Sequence, residues 1–334
     1  MRPVRTTTTT AKTKHRSDDM KRKTTAKQKP APAKRRTSSR KPQPTPAEPA
    51  IETVLVLRLN RKGGVSPSEQ AKGFAWPQSG PVEAPDWRPT KECGHGLHGW
   101  LWGEGSVVGV FGDWREDDEW RVVEVPAADI IALDGKVKFL RGVVVFCGDR
   151  LEATAYIAER APGHAVVGGT ATAGDDGTAT AGDRGTATAG DGGTATAGDR
   201  GTATAGDDGT ATAGDDGTAT AGDRGTATAG DGGTATAGDR GTATAGDDGT
   251  ATAGDDGTAT AGVEGTATAG DDGTATAGDW GIVQIRFWDP AAQRYRIRTG
   301  YIGEDGLRPV VKYRLDEQGR FVEVPEAKTA EAAG

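Results

Sequence analysis

Cys93, His95 and His98 fall within six residues of one another, and Cys147 lies farther along the chain. Thiolate and imidazole are zinc's usual ligands, so these residues, with Cys147 as a fourth, form the candidate metal set. Zinc sites usually pair two short knuckles across a loop, whereas here one knuckle stands alone. The favoured reading is therefore a glycine-rich turn, Cys93-Gly-His-Gly-Leu-His98, whose histidines pack or face solvent, with zinc second. A Cys–His nucleophile needs an activating geometry that this spacing does not supply. No residue is assigned a catalytic role, and the expectation is a non-enzymatic protein.

A second set of side chains can meet polyanions. Lys21, Arg22, Lys23, Lys34, Arg35, Arg36, Arg40 and Lys41 lie in residues 1–50, which hold 15 Lys/Arg against 3 Asp/Glu. Such clusters contact phosphates without reading sequence, and their affinity falls with salt. The segment carries no aromatic residue on which a base could stack. It also lacks the apolar surface needed to offset ordering entropy, so it is read as a disordered tail. Its uses are nucleic-acid contact, a solubilising tether, or self-association with an acidic stretch of its own or a neighbouring chain.

That acidic stretch is also the source of the most regular chemistry. Fourteen octads, Gly-Thr-Ala-Thr-Ala-Gly-Asp-x, run without a slip from Gly169 to Trp280 and hold 20 acids against 4 arginines. Thr-Ala-Thr-Ala alternates with the period of a strand, and Gly-Asp-x-Gly is turn chemistry. A fixed short period implies a solenoid in which each unit is one rung. Two octads per coil are preferred over three, giving seven coils and a rod of roughly 33 Å. Alanine is placed inside and threonine outside, so hydroxyls line up ~4.8 Å apart between coils and ~6.7 Å apart within a strand. The candidate binding face is Thr178, Thr180, Thr186, Thr188, Thr194, Thr196, Thr202, Thr204, Thr210 and Thr212. The alternative for the whole array is a loose Gly-rich linker.

Thirteen of the fourteen octads keep the aspartate, Val263 being the exception. The preferred role is an Asx turn at Asp175, with Gly177 accepting left-handed geometry. Calcium is a lesser reading, because calcium solenoids use Gly-Gly-x-Gly-x-Asp and this octad lacks it.

These side chains need positioning elements. Residues 51–168 read as an α+β module dominated by strands at 53–59, 120–125, 136–140 and 143–146, with one helix at 151–160. Trp100, Trp102, Trp114 and Trp120 are its candidate core. Residues 281–325 read as a small β cap, with strands at 282–287, 295–298 running on to 301–302, 312–315 and 321–324. Solenoid ends expose strand edges, so caps are expected. Residues 326–334 form a second disordered tail. The fold class is thus all-β dominated: an octapeptide β-solenoid (169–280) between two small modules. Two cysteines do not make a disulfide scaffold. No apolar leader or membrane-spanning run is visible, so cytoplasmic residence without membrane contact is expected.

The octad resembles the octads of bacterial ice-nucleation proteins, which carry Thr-x-Thr on one strand face after a Gly-rich turn. The resemblance covers residues 169–280 and maps onto Thr178 with Thr180 and Thr186 with Thr188. It implies a flat face of threonine ladders that orders water; a repetitive polymer surface is the other candidate partner of these faces. In this chain every Thr-x-Thr centre is alanine, no tyrosine ladder is present, and the array is short, as in antifreeze surfaces. The flanks are similar to an uncharacterised module of actinobacteria and their phages, through Gly73-Phe-Ala-Trp-Pro77, Val82-Glu-Ala-Pro-Asp-Trp87, Cys93-Gly-His-Gly-Leu-His-Gly-Trp100 and Tyr301-Ile-Gly-Glu-Asp-Gly-Leu-Arg-Pro309. In that family two modules bracket Gly/Ala/Thr-rich repeats, and no activity comes with it.

Overall fold

The computed structural model describes residues 51–66, 74–106 and 114–325. The three basic clusters of the tail, at 21–23, 34–36 and 40–41, lie outside these residues. The described residues belong to one compact unit.

Its first part is a seven-stranded antiparallel sheet built from β1 (Thr53–Asn60), β2 (Gly80–Glu83), β3 (Leu97–Leu101), β4 (Glu119–Pro126), β5 (Ile131–Leu133), β6 (Lys136–Phe139) and β7 (Arg141–Gly148). The order is β2-β7-β4-β1-β3-β6-β5. Alternation along β1 sends Leu57 and Leu59 to one face with Trp100 and Trp120. It sends Val56 to the other, with Trp76 and Phe139. The helix α1 (Arg150–Arg160) covers the first face through Ala153 and Ile157. It starts at a capping box, in which the Glu152 amide donates to Asp149 Oδ1 at 2.9 Å.

Three of these strands, β2, β3 and β5, are absent from the sequence reading. Pro81 and Gly99 break the pattern that marks a strand. Gly99 is there for clearance, because a Cβ would stand 2.5 Å from the Leu57 carbonyl oxygen.

The octads then form fourteen short strands, from β8 (Thr170–Thr172) to β21 (Thr274–Thr276). Even-numbered strands pair with one another in parallel, and odd-numbered strands do the same in a second sheet. The register Thr186↔Thr202, Ala187↔Ala203, Thr188↔Thr204 repeats without a shift. A strand therefore returns to its own sheet after sixteen residues, two octads per coil and seven coils in all.

The inner surfaces are alanine. Ala187, Ala203, Ala219 and Ala235 are 0% exposed, and the alanine core is one continuous cluster. Because only methyl groups intervene, β15 (Thr226–Thr228) and β16 (Thr234–Ala237) bring Cα atoms within 8 Å across the interior. Ordinary stacked sheets sit ~10 Å apart.

Both ends of the rod are closed by chain that copies a coil. At the start, Gly168 donates to the Asp183 carbonyl (2.8 Å), and Gly182 donates to the Val166 carbonyl (3.1 Å). Residues 166–168 thereby stand in for a preceding turn. Trp114 lies under the Arg184 guanidinium at 5.0 Å, and its ring would meet any Cβ on Gly168 at 2.7 Å.

At the far end β22 (Ile282–Asp289) continues the even sheet, placing Val283 and Ile285 where alanines stood. The antiparallel β23 (Arg294–Tyr301) finishes that sheet. The hairpin of β24 (Tyr313–Leu315) and β25 (Phe321–Glu323) finishes the odd one. Ile302, Leu307 and Tyr313 plug the wider core.

Candidate functional site

Each turn of the rod is four residues long. In the first, Gly177 N–H donates to the Gly174 carbonyl at 3.1 Å, and Asp176 takes φ +54°. The left-handed residue is thus the variable x position, filled by Asp, Arg, Gly, Glu or Trp along the array, and Gly177 is not among the positive-φ residues. Gly177 is needed for clearance instead: a Cβ there would lie 2.8 Å from the Ala173 Cβ and 2.9 Å from the Gly174 carbonyl oxygen. The glycine that opens each later turn is equally confined, since a Cβ on Gly190 would approach the Asp175 amide to 2.7 Å, whereas Gly174 in the first turn meets nothing within 4 Å.

The aspartate column also departs from an Asx turn. Asp175 Oδ1 accepts from the amide of Asp191, one coil on, at 3.3 Å, while Asp176 N–H donates to the Asp191 carbonyl at 2.8 Å. The carboxylate therefore ties turn to turn. The same bond recurs from Asp207 to Asp223 (2.9 Å) and from Asp223 to Asp239 (3.0 Å). Val263 donates to Asp247 Oδ1 at 2.8 Å but has no carboxylate to offer the next coil.

Charge stays on the two turn edges. Arg224 pairs with Asp208 at 2.6 Å, and this hydrogen bond holds the Asp208 carboxyl below its ordinary range. Burial, then repulsion from Asp272 and Asp255, pushes Asp271 upward. Arg286 of the cap reaches Asp255 with both carboxylate oxygens at 2.6 Å.

Between these edges both outer surfaces present only threonine. Thr178 and Thr180 are exposed while Ala179 between them is buried. The ten candidate threonines divide between two surfaces. Thr186, Thr188, Thr202 and Thr204 belong to the even sheet. Thr178, Thr180, Thr194, Thr196, Thr210 and Thr212 belong to the odd one.

The candidate metal residues are dispersed. Cys93 accepts from Lys136 Nζ at 3.2 Å, and His95 Nδ1 faces Asp86 at 3.3 Å. His98 lies on β3 opposite Lys138. Cys147 is on β7 opposite Arg121, with β4 and β1 between it and β3, about 14 Å away at normal strand spacing. Among the described residues no group of three or more His, Cys, Asp or Glu is arranged to hold a metal.

Of the four candidate core tryptophans, Trp100 and Trp120 are fully buried and stack at 6.0 Å, with Trp102 and Trp114 partly buried around them. Two residues carry signals that sequence reasoning missed. Trp280 is 75% exposed at φ +57°, and Val310 is 80% exposed at φ +60°. Among the described residues no helix is long and apolar enough to cross a membrane.

No family model matches the chain, and no solved structure does. The matches are to curated proteins, and they fall on a stretch of repeat length. An ice nucleation protein of Pseudomonas syringae is 44% identical over 90 residues, 26% of this chain and 7% of that protein. One from Xanthomonas campestris pv. translucens is 40% identical over 92 residues, 27% of this chain and 6% of that one. One from Pseudomonas fluorescens is 37% identical over 115 residues, 34% of this chain and 9% of that one. The chain thus spans less than a tenth of the length of these relatives. The array is a β-solenoid of octads similar to those of ice nucleation proteins.

Proposed function

We propose that this chain is a non-enzymatic repeat scaffold whose threonine ladders order water and bind ice-like surfaces. One observation carries the reading. Seven coils hold Thr-Ala-Thr in unshifted register, so hydroxyls and methyls repeat in two dimensions on an uncharged plane, with every acid displaced to the turns.

A flat lattice of hydroxyls favours a partner with a matching period, and water in an ordered layer supplies both donors and acceptors. The similarity to ice nucleation proteins supports the same reading. The alanine core supports it mechanically, because a close-packed interior keeps the ladder spacing constant.

The test is inhibition of ice recrystallisation and thermal hysteresis, with droplet freezing as a third readout. The purified full chain should show activity that falls when threonines of both sheets become lysine together in a protein that still melts cooperatively. A full chain that is folded yet inert in all three assays would refute the reading.

A further inference from the structure

The two threonine surfaces have the same sequence but different surroundings. On the even sheet the outward columns run on into the cap, Thr266↔Ile282↔Tyr301 and Thr268↔Gln284↔Thr299. Thr268 Oγ1 donates to Gln284 Oε1 at 3.2 Å, so the polar row continues without a break. Ile297 and Tyr301 on this extension are 59% and 52% exposed. Both sheets border residues 162–166 at their first strands, and at the cap end the even one is lengthened by two strands.

On the odd sheet the plane stops. The cap touches β21 at one ladder position, Ala275↔Tyr313, and Val310 N–H donates to the Ala277 carbonyl at 2.9 Å. The chain at 310–312 and at 324–325 then rises beside Thr260 and Thr276, leaving a walled trough of about 840 Å³. Thr276, an outward residue, is 8% exposed as a result. In the neighbouring column one hydrogen bond joins the Thr258 and Thr274 hydroxyls at 3.1 Å.

We infer that the even sheet alone is the ice-binding side, an assignment that rests on the proposed function. A planar solid needs an uninterrupted plane, because its affinity sums many weak contacts made together. A wall at one end lifts a flat partner off the neighbouring coils. The occupant is ordered water or ice, whose donors and acceptors match a neutral hydroxyl grid and not the acidic turn edges.

The experiment compares two double variants in the full chain, Thr204→Lys with Thr220→Lys on the even sheet and Thr228→Lys with Thr244→Lys on the odd one. Recrystallisation inhibition is read against concentration, and circular dichroism melting shows that each variant is folded. The even-sheet pair is expected to lose activity by about tenfold, and the odd-sheet pair to stay within about twofold of the parent. Equal losses, or a larger loss from the odd-sheet pair, would overturn the assignment while leaving an ice-binding protein. An inactive parent chain removes the function itself and the assignment with it. If the even-sheet pair fails to melt cooperatively, Thr204→Val with Thr220→Val replaces it, and retained activity there together with lost activity in the odd-sheet pair overturns the assignment.

Discussion

The Asp223 carboxylate accepts the amide of Asp239, sixteen residues on, at 3.0 Å. Its own amide is held by Asp207 at 2.9 Å. Each acid is thus an acceptor for one coil and a donor to another. An acceptor is all this geometry asks for. Asp223→Asn keeps a carbonyl oxygen and should leave stability nearly unchanged, whereas Asp223→Ala should cost about 1 kcal/mol. Urea unfolding of both variants checks the difference. A calcium role would make the Asn change as harmful as the Ala change.

The break at Val263 invites the reverse experiment. Val263→Asp would supply the missing acceptor for the amide of residue 279 in the next coil. The expected gain is about 0.5–1 kcal/mol, reduced by repulsion from Asp247 and Asp279. A higher melting temperature at moderate salt would show it.

The methyl-lined interior leaves no room for growth. Ala203 is 0% exposed, and its neighbour Thr202 faces solvent. Ala203→Leu should lower stability by at least ~2 kcal/mol through overpacking, while Thr202→Val should change it by less than about 0.5 kcal/mol. Thermal melts of the pair test which side is inside.

The pH dependence of the first module follows from His98. Burial, then the charges of Arg58, Lys136 and Lys138, lowers its pKa to about 4, and its Nε2 is buried without a hydrogen-bond partner. The unfolded chain binds this proton near pH 6.5, and the folded chain only near pH 4. Stability from this group is present above pH 6.5 and is lost as pH falls toward 4. Melting temperature against pH should therefore flatten over that window in His98→Gln relative to the parent.

Val310 combines a β-branched side chain with φ +60° and 80% exposure. Left-handed geometry costs such a residue roughly 1–2 kcal/mol, more than the entropy glycine adds to the unfolded chain. Val310→Gly should raise stability by about 0.5 kcal/mol, measured by chemical denaturation.

Coil size and the orientation of Thr178 and Ala179 were legible, because a strict octad and a period of two leave few arrangements. The partner of each aspartate was not, since the amide that Asp175 binds belongs to a residue sixteen positions on. Gly177 misled for a related reason. Glycine in a turn suggests positive φ, yet here it answers crowding from Ala173, while Asp176 bears the left-handed conformation. The shielding of Thr276 depends on the path of residues 310–312, which no local pattern encodes. Cys93, His95 and His98 look clustered in one dimension, but Cys93 meets Lys136, His95 meets Asp86, and His98 is half-buried on β3.

Amide hydrogen exchange of the full chain reports directly whether the octads are ordered. Ala189 and Thr202 each donate across coils at 2.9 Å. Slow exchange is expected at these amides and at their equivalents every eight residues through 169–280. Exchange across that segment at the rate of an unstructured peptide would contradict it.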